Sequence, residues 1–239
     1  MQAKALIYHA IVLMLRHPKD TVRVTVLPYL LAQLLPSLIY ASADQTGPTG
    51  LSVRVAAELC FLAGMAWMAV AWHRYILSHE TGWPLPPAPP GRVMVYLGYL
   101  VAFEAAVMVA SFVLMQGLAV LILGGAGGWA LQVPIYLGLF AASVLFGRLG
   151  AILPAVALGP VQSSLDGWRA TRGATLTIAL AWAALFLLEE AVFRFGTALP
   201  LDPQVAQVLQ AALQWLVFLL GIALLTSTYL HYVKGQPLD

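Results

Sequence analysis

Charge and cysteine are scarce in this chain of 239 residues. Only 9% of the residues are charged, and Cys60 is the one cysteine. A single cysteine excludes an intramolecular disulfide, a CxxC redox pair and a cysteine-based zinc site. The charges nearly balance, with 12 Lys and Arg against 10 Asp and Glu, and no basic cluster accompanies an aromatic surface or recognition helix. A nucleic-acid partner is therefore not expected.

Apolar residues dominate what is present. They make up 61% of the chain, and the mean hydropathy is +0.86, whereas soluble globular proteins are only about 45–50% apolar. These residues fall into repeated runs of about 20, which is the length an α-helix needs to cross a bilayer. We therefore predict an all-α fold, a polytopic transmembrane helix bundle that forms a single domain over residues 1–239.

Six of the runs have the length of a membrane span, and prolines, glycines and polar residues separate them. Two other segments, residues 2–15 and 161–172, are too short to cross and mix apolar with polar side chains. We predict that these two form amphipathic helices in the membrane interface. The predicted spans cover residues 22–41, 53–77, 93–121, 131–153, 174–193 and 205–229.

The positions of lysine and arginine predict the orientation. Excess positive charge is retained on the cytoplasmic side of a membrane. If the N-terminus is cytoplasmic, only Arg54 and Arg194 of the 12 cationic residues lie outside. An even number of spans returns the chain to its starting side, so both termini are expected in the cytoplasm.

Glu104 is an acidic residue deep within a predicted span. It lies 12 residues after Arg92, which is about 18 Å along a helix, and a charge placed there costs about 2.5–3.5 kcal/mol. Glu104 is therefore expected to be protonated or to face the bundle interior, with Arg148 on the adjacent span as its candidate partner. Two interpretations stay open: a proton- or cation-coupled transport site, or a polar brace between spans three and four.

Three glutamines extend this candidate intramembrane polar site. Gln207, Gln210 and Gln214 follow one another at spacings of three and four, so they share one face of the sixth span. Such side chains join helices by hydrogen bonds or line a hydrated cavity. The sequence contains no motif typical of catalysis, cofactor binding or metal binding, so we expect neither enzyme activity nor a cofactor or metal.

Five residues are expected at the depth of the lipid headgroups. Tryptophan is enriched at membrane interfaces, and arginine there pairs with lipid phosphates or with the ends of adjacent helices. These residues close the second span or lie in the second interfacial segment: Trp72, Arg74, Trp168, Arg169 and Arg172.

Two motifs carry a family resemblance: Ala71-Trp72-His73-Arg74, and the segment SSLDGWRATRG at residues 163–173. Together with the amphipathic N-terminal segment, they resemble a group of bacterial six-span membrane proteins. This group is similar to the YciC-like proteins and to the membrane domain that sometimes precedes glycerophosphodiester phosphodiesterase domains. The resemblance implies a bacterial inner-membrane protein without assigned chemistry. It implies no phosphodiesterase activity, because this chain has no soluble domain for the metal-binding catalytic residues.

The absence of a catalytic motif favours a protein that acts by binding. It would be an accessory or scaffold component of a membrane assembly, or a lipid-organising protein. The alternative is a small proton- or cation-coupled transporter or permease that uses Glu104, and a membrane enzyme acting on lipid is the third hypothesis. Membrane lipids are the expected partners, with other membrane proteins as a further candidate class.

Overall fold

The computed structural model describes residues 2–42, 50–82, 88–122, 129–159, 163–198 and 200–238. Helices account for nearly all of these described residues, and none of them forms a strand. A 3₁₀ turn, Gly150–Ile152, and a π-helical turn, Tyr229–Val233, accompany the α-helices. The α-helices are α1 (Gln2–Leu15), α2 (Pro18–Ser42), α3 (Gly50–Ser78), α4 (Pro90–Ile122), α5 (Trp129–Leu149), α6 (Leu153–Leu158), α7 (Ser164–Ala170), α8 (Thr175–Ala198) and α9 (Pro203–Thr228).

The structure confirms an all-α protein with several helices of membrane-crossing character. Among the described residues, four helices are long and apolar enough to cross a bilayer: Pro18–Ser42, Gly50–Ser78, Thr175–Gly196 and Pro203–Val233. They correspond to predicted spans one, two, five and six. The other two predicted spans fall on α4 and α5, which are helical, but many of their side chains lie outside the described residues. Helix α5 ends at Leu149, so the last residues of the span predicted over 131–153 form the 3₁₀ turn and the start of α6. Membrane crossing by these two helices stays a prediction.

The two short helices appear where the sequence predicts them. Helix α1 has the predicted bounds, and α7 covers the middle of the segment predicted at residues 161–172. Residues 161 and 162 of that segment lie outside the described residues. An interfacial location for either helix stays a prediction.

The contacts divide the chain into two compact units, although the sequence predicts one domain over residues 1–239. Unit 1 consists of Met1–Ala10, Ala102–Ile152 and Ser163–Asp239, and unit 2 of Ile11–Val101 and Leu153–Gln162. Helices α1 and α4 therefore contribute residues to both units.

Unit 2 is built on the close approach of α2 and α3. Gly64 faces Ala32, and a Cβ atom at Gly64 would lie 2.5 Å from the Cβ and 2.8 Å from the Cα of Ala32. Glycine is required at this crossing because the contact involves backbone, which cannot rotate away. Small residues at such crossings allow helices in a membrane to gain van der Waals contact.

Unit 1 packs α8 between α5 and α9. Aromatic rings join α5 to α8, since Phe146 and Trp182 make an edge-to-face pair with ring centroids 5.4 Å apart. Gly147, the next residue on α5, lies directly against the Trp182 indole, where a Cβ atom would collide with the ring. An offset or edge-on ring pair contributes about 0.5–1.5 kcal/mol beyond its buried area.

The cytoplasmic half of α9, as the sequence orients it, ends in a run of buried hydroxyl residues. Thr226, Ser227 and Thr228 each donate a hydrogen bond to the backbone carbonyl four residues earlier, at 2.7–3.0 Å. Such bonds compete with the helical pattern and bend helices. Directly after them the chain changes to the π-helical turn Tyr229–Val233.

The first half of α1 docks on this part of α9. His9 is buried, and its Nδ1 lies 3.1 Å from the Ser227 hydroxyl oxygen. Because that hydroxyl donates its proton to the Ala223 carbonyl, His9 Nδ1 is the donor in this bond. Leu6 and Ala10, on the same face of α1, are also buried.

Candidate functional site

Helix α7 has a well-defined start. The Ser163 side chain accepts a hydrogen bond from the Leu165 amide at 3.2 Å, and the Asp166 carboxylate accepts one from the Ser163 amide at 3.2 Å. This reciprocal arrangement satisfies two backbone donors that a helix start otherwise leaves unpaired. A helix of seven residues is nevertheless too short to persist in isolation. Tertiary contacts must therefore hold it.

Arg148, in the last turn of α5, supplies those contacts. Its guanidinium donates to the Trp168 carbonyl at 3.0 Å and to the Thr171 hydroxyl at 3.2 Å. The guanidinium carbon also lies 3.5 Å from the centroid of a Trp168 ring, within the range of a cation–π interaction. Arg148 is only 7% exposed, so its guanidinium interacts mainly with protein groups and little with the surroundings.

Gly167 allows α7 to approach the end of α5. A Cβ atom at Gly167 would lie 3.0 Å from the Arg148 carbonyl oxygen and 3.2 Å from that of Leu149. These contacts are tighter than ordinary van der Waals distances and involve backbone. Any larger residue would therefore push α7 away from the arginine that holds it.

The outer surface of α7 combines apolar and cationic side chains. Leu165 is 57% and Trp168 is 36% exposed. The Arg169 side chain is 75% exposed and makes a loose 3.5 Å pair with Asp166, and Arg172 is exposed just after the helix. We call Leu165, Trp168, Arg169 and Arg172 the α7 platform.

The α7 platform lies at one end of two long apolar helices. Helix α8 begins at Thr175, shortly after Arg172, and α7 packs against the π-helical turn that ends the apolar helix Pro203–Val233. Three of the five residues predicted at headgroup depth, namely Trp168, Arg169 and Arg172, therefore occupy one surface of unit 1.

The predicted glutamine stripe meets α8. Gln214 donates to the Glu189 carboxylate at 3.3 Å. The side-chain oxygen of Gln210 lies against Gly196, where a Cβ atom would otherwise stand, and has no hydrogen-bond partner among the described residues. A Cα–H group is a weak donor to such an oxygen. Gln207 is exposed. Two of the three glutamines therefore bridge α9 and α8.

Glu104 and Arg148 were expected to form a pair. Glu104 lies on α4 with an exposed side chain. Arg148 directs two guanidinium nitrogens toward Trp168 and Thr171. The Glu104–Arg148 pairing stays a prediction, and the structure places Arg148 as the anchor of α7.

Trp72 and Arg74 lie in unit 2 and are surrounded by protein. Trp72 is 0% exposed, so its ring lies in the core of unit 2, whereas the sequence predicts it at lipid headgroups. Arg74 donates to both carboxylate oxygens of Glu80 at 2.8 and 2.9 Å, and to the Ala157 carbonyl at 3.1 Å. Ala157 is near the end of α6, where a cation stabilises unpaired carbonyls and the helix dipole.

A second arginine acts at the same place, since Arg92 donates to the Gly159 carbonyl. His79, which follows α3, adopts a positive φ of 56°. This left-handed conformation turns the chain after α3, and Glu80 then pairs with Arg74. The side chains of Arg74 on α3 and Arg92 on α4 thus stabilise the end of α6.

Sequence reasoning missed two buried histidine contacts. His73 Nε2 lies 3.1 Å from the Tyr96 hydroxyl, and both side chains are fully buried in unit 2. The other contact is His9 with Ser227. His9 and Ala10 lie three and four residues after Leu6, a spacing that places all three on one helix face and is typical of a face that packs on protein. That spacing was the available signal, and His73 had none.

Within the described residues, no three His, Cys, Asp or Glu side chains are grouped so that they could hold a metal ion. Comparison with known proteins found no matching family model, no matching protein of described function and no matching solved structure.

Proposed function

We propose that this chain is a non-enzymatic protein of a bacterial inner membrane that acts by binding, as a lipid-organising or accessory component. In this proposal it crosses the membrane six times, and both termini are cytoplasmic. The kinship with the YciC-like group is part of the same proposal and rests on the two motifs. The single observation that supports the proposed binding function is the α7 platform.

The α7 platform supports lipid binding because of how it is built. Its apolar members, Leu165 and Trp168, are exposed although a buried arginine fixes the helix that carries them. A rigidly held, exposed tryptophan at the end of apolar helices suits the headgroup region, where one part of the ring contacts hydrocarbon and the indole N–H meets polar groups.

The charges of unit 1 support the orientation. The end that carries α7 also carries Lys4 and Lys234, whereas Glu189 and Glu190 lie toward the other end of α8, where Arg194 pairs with Glu190. Positive residues flank the cytoplasmic ends of membrane helices. In the proposal, the α7 platform therefore faces the cytoplasmic leaflet.

The proposal is tested by counting the phospholipids that stay bound to the full-length protein in mild detergent. We expect Trp168→Ala and Leu165→Gln to lower this number. Phe195→Ala is the matched control, because Phe195 is 53% exposed on α8 but lies away from the platform. Equal lipid retention by both platform variants and the wild type would remove the platform as a lipid-binding surface.

A flux assay separates this proposal from the transporter alternative. In vesicles with an imposed proton or cation gradient, we expect the same leak with the wild type and with Glu104→Gln. A wild-type flux that Glu104→Gln abolishes, with the thermal midpoint unchanged, would favour the transporter.

A further inference from the structure

Three separate segments of unit 1 come together beside the α7 platform. Helix α7 packs against the π-helical turn, which leads into Lys234. The Thr177 hydroxyl, in the first turn of α8, donates to the side chain of Gln2 at 3.4 Å, and Gln2 opens the helix turn that carries Lys4. Residues far apart in the sequence therefore contribute to one end of unit 1.

Cations predominate at this end. Among the described residues, four exposed cationic side chains lie there and only one carboxylate, that of Asp166. The contact between Asp166 and Arg169 is long, at 3.5 Å, and both side chains are more than half exposed, so it neutralises little charge. The four are Lys4, Arg169, Arg172 and Lys234.

The C-terminal segment fixes where Lys234 lies. Gly235 has a positive φ of 69°, and the Gln236 amide donates to the Leu230 carbonyl, six residues earlier, at 2.9 Å. This bond closes the chain at the end of the π-helical turn. The Lys234 ammonium lies 5.6 Å from the centroid of the Tyr229 ring. Lys234 therefore extends from an ordered turn.

We infer that this basic end of unit 1 is a binding surface for anionic phospholipids, with Arg172 and Lys234 as the residues that select the charged headgroup. The inference rests on the proposed function and adds the class of lipid. A phosphate at the headgroup level would meet these cations, while Trp168 and Leu165 contact the glycerol and upper acyl region.

Charge complementarity selects this occupant over others. Zwitterionic lipid carries its own ammonium group, which four neighbouring cations repel. Anionic lipid brings an uncompensated negative charge. Each Lys or Arg close to the headgroups increases the affinity for anionic lipid about fivefold. The location beside the ends of α8 and α9 makes lipid the molecule that is always present at this surface.

The experiment measures lipid selectivity in the full-length protein. Wild type and Arg172→Gln/Lys234→Gln are equilibrated with equimolar phosphatidylglycerol and phosphatidylcholine of identical chains, and native mass spectrometry gives the ratio of the two bound lipids. We expect a wild-type preference for phosphatidylglycerol that falls about fivefold for each charge removed. Arg54→Gln is the matched control, because it removes an exposed arginine of unit 2.

The outcomes separate the inference from the proposed function. If the wild type binds both lipids equally, or if the double variant keeps the full preference, the inference is wrong, while lipid binding as such stands. If the double variant loses all bound lipid and its thermal midpoint also falls, the variant is misfolded. In that case Lys234→Gln is compared with Lys234→Arg, which keeps the charge. Equal ratios of bound phosphatidylglycerol to phosphatidylcholine overturn the inference, and a lower ratio for Lys234→Gln supports it.

Discussion

Replacing Gly64 by alanine should destabilise unit 2, because the new methyl group has no space. It would lie 2.5 Å from the Cβ, 2.8 Å from the Cα and 3.0 Å from the backbone nitrogen of Ala32. Carbon atoms in contact prefer about 3.5–4.0 Å, so α2 and α3 would have to separate by roughly 1 Å. No side-chain rotation relieves a clash with backbone.

The magnitude follows from two opposing effects. Overpacking of this kind costs about 1–3 kcal/mol, and the higher helix propensity of alanine returns up to about 1 kcal/mol. Because the clash involves backbone, the cost should fall in the upper part of this range, so we expect a net loss of about 1–2 kcal/mol for Gly64→Ala. In a chain of this size each kcal/mol shifts the thermal midpoint by roughly 2–4 °C, so the midpoint should fall by roughly 2–8 °C.

Gly98→Ala is the matched control, because Gly98 is also helical in unit 2 and has no atom within 4 Å of the added Cβ position. It should leave the midpoint unchanged or raise it. The thermal midpoints of both variants are measured in detergent, with size-exclusion chromatography reporting the fraction of protein that stays folded. A Gly64→Ala midpoint equal to that of Gly98→Ala would refute the close approach.

Two further substitutions test local geometry. His79→Gly should raise the midpoint by a few degrees, because a non-glycine residue at φ 56° costs about 1–2 kcal/mol. His79→Ala keeps a Cβ atom and should not raise the midpoint. An equal gain from both variants would contradict the reasoning. Gly196→Ala should lower the midpoint, because the methyl group meets the amide of Gln210. The double variant Gly196→Ala/Gln210→Ala should recover it, and no recovery would show that the two side chains do not meet.

Helix positions followed from the sequence more closely than helix ends. The first span was predicted from residue 22, whereas α2 begins at Pro18. Hydropathy detects the stretch that needs lipid, but a helix continues wherever its hydrogen bonds are favourable. Pro18 suits the start of a helix, and the negative charge of Asp20 in the first turn interacts favourably with the positive end of the helix dipole.

The faces of the helices were not predictable in the same way. Trp72 is buried beside Met68 and Ala69, one face of α3, but nearly every neighbouring residue is apolar too. In a soluble helix, a polar face points to solvent and so identifies the buried face. Lipid is as apolar as the protein interior, so the pattern in a membrane helix carries little information on direction.

The candidate site was predictable where polar atoms must be satisfied. The order of Ser163 and Asp166 indicates a helix start, and the tryptophan and arginines after them indicated the interface. The sequence identifies Arg148 as a candidate site residue but not its contact with Trp168, because the two are separated by 20 residues and lie on different helices. The charge of Arg148 was assigned to Glu104 because that carboxylate lies on a neighbouring predicted span.

The described residues include two kinds of cationic side chain, enclosed and exposed. Arg74 and Arg148 are mostly enclosed, and carbonyl oxygens take up their donors. A cation held in this way has lost its water and has few donors left for a ligand, so its removal should affect stability first. Arg172 and Lys234 keep their exposure on ordered backbone, so their charge reaches molecules outside the protein. In our proposal, the enclosed Arg148 fixes the surface and the exposed cations select the lipid that binds to it.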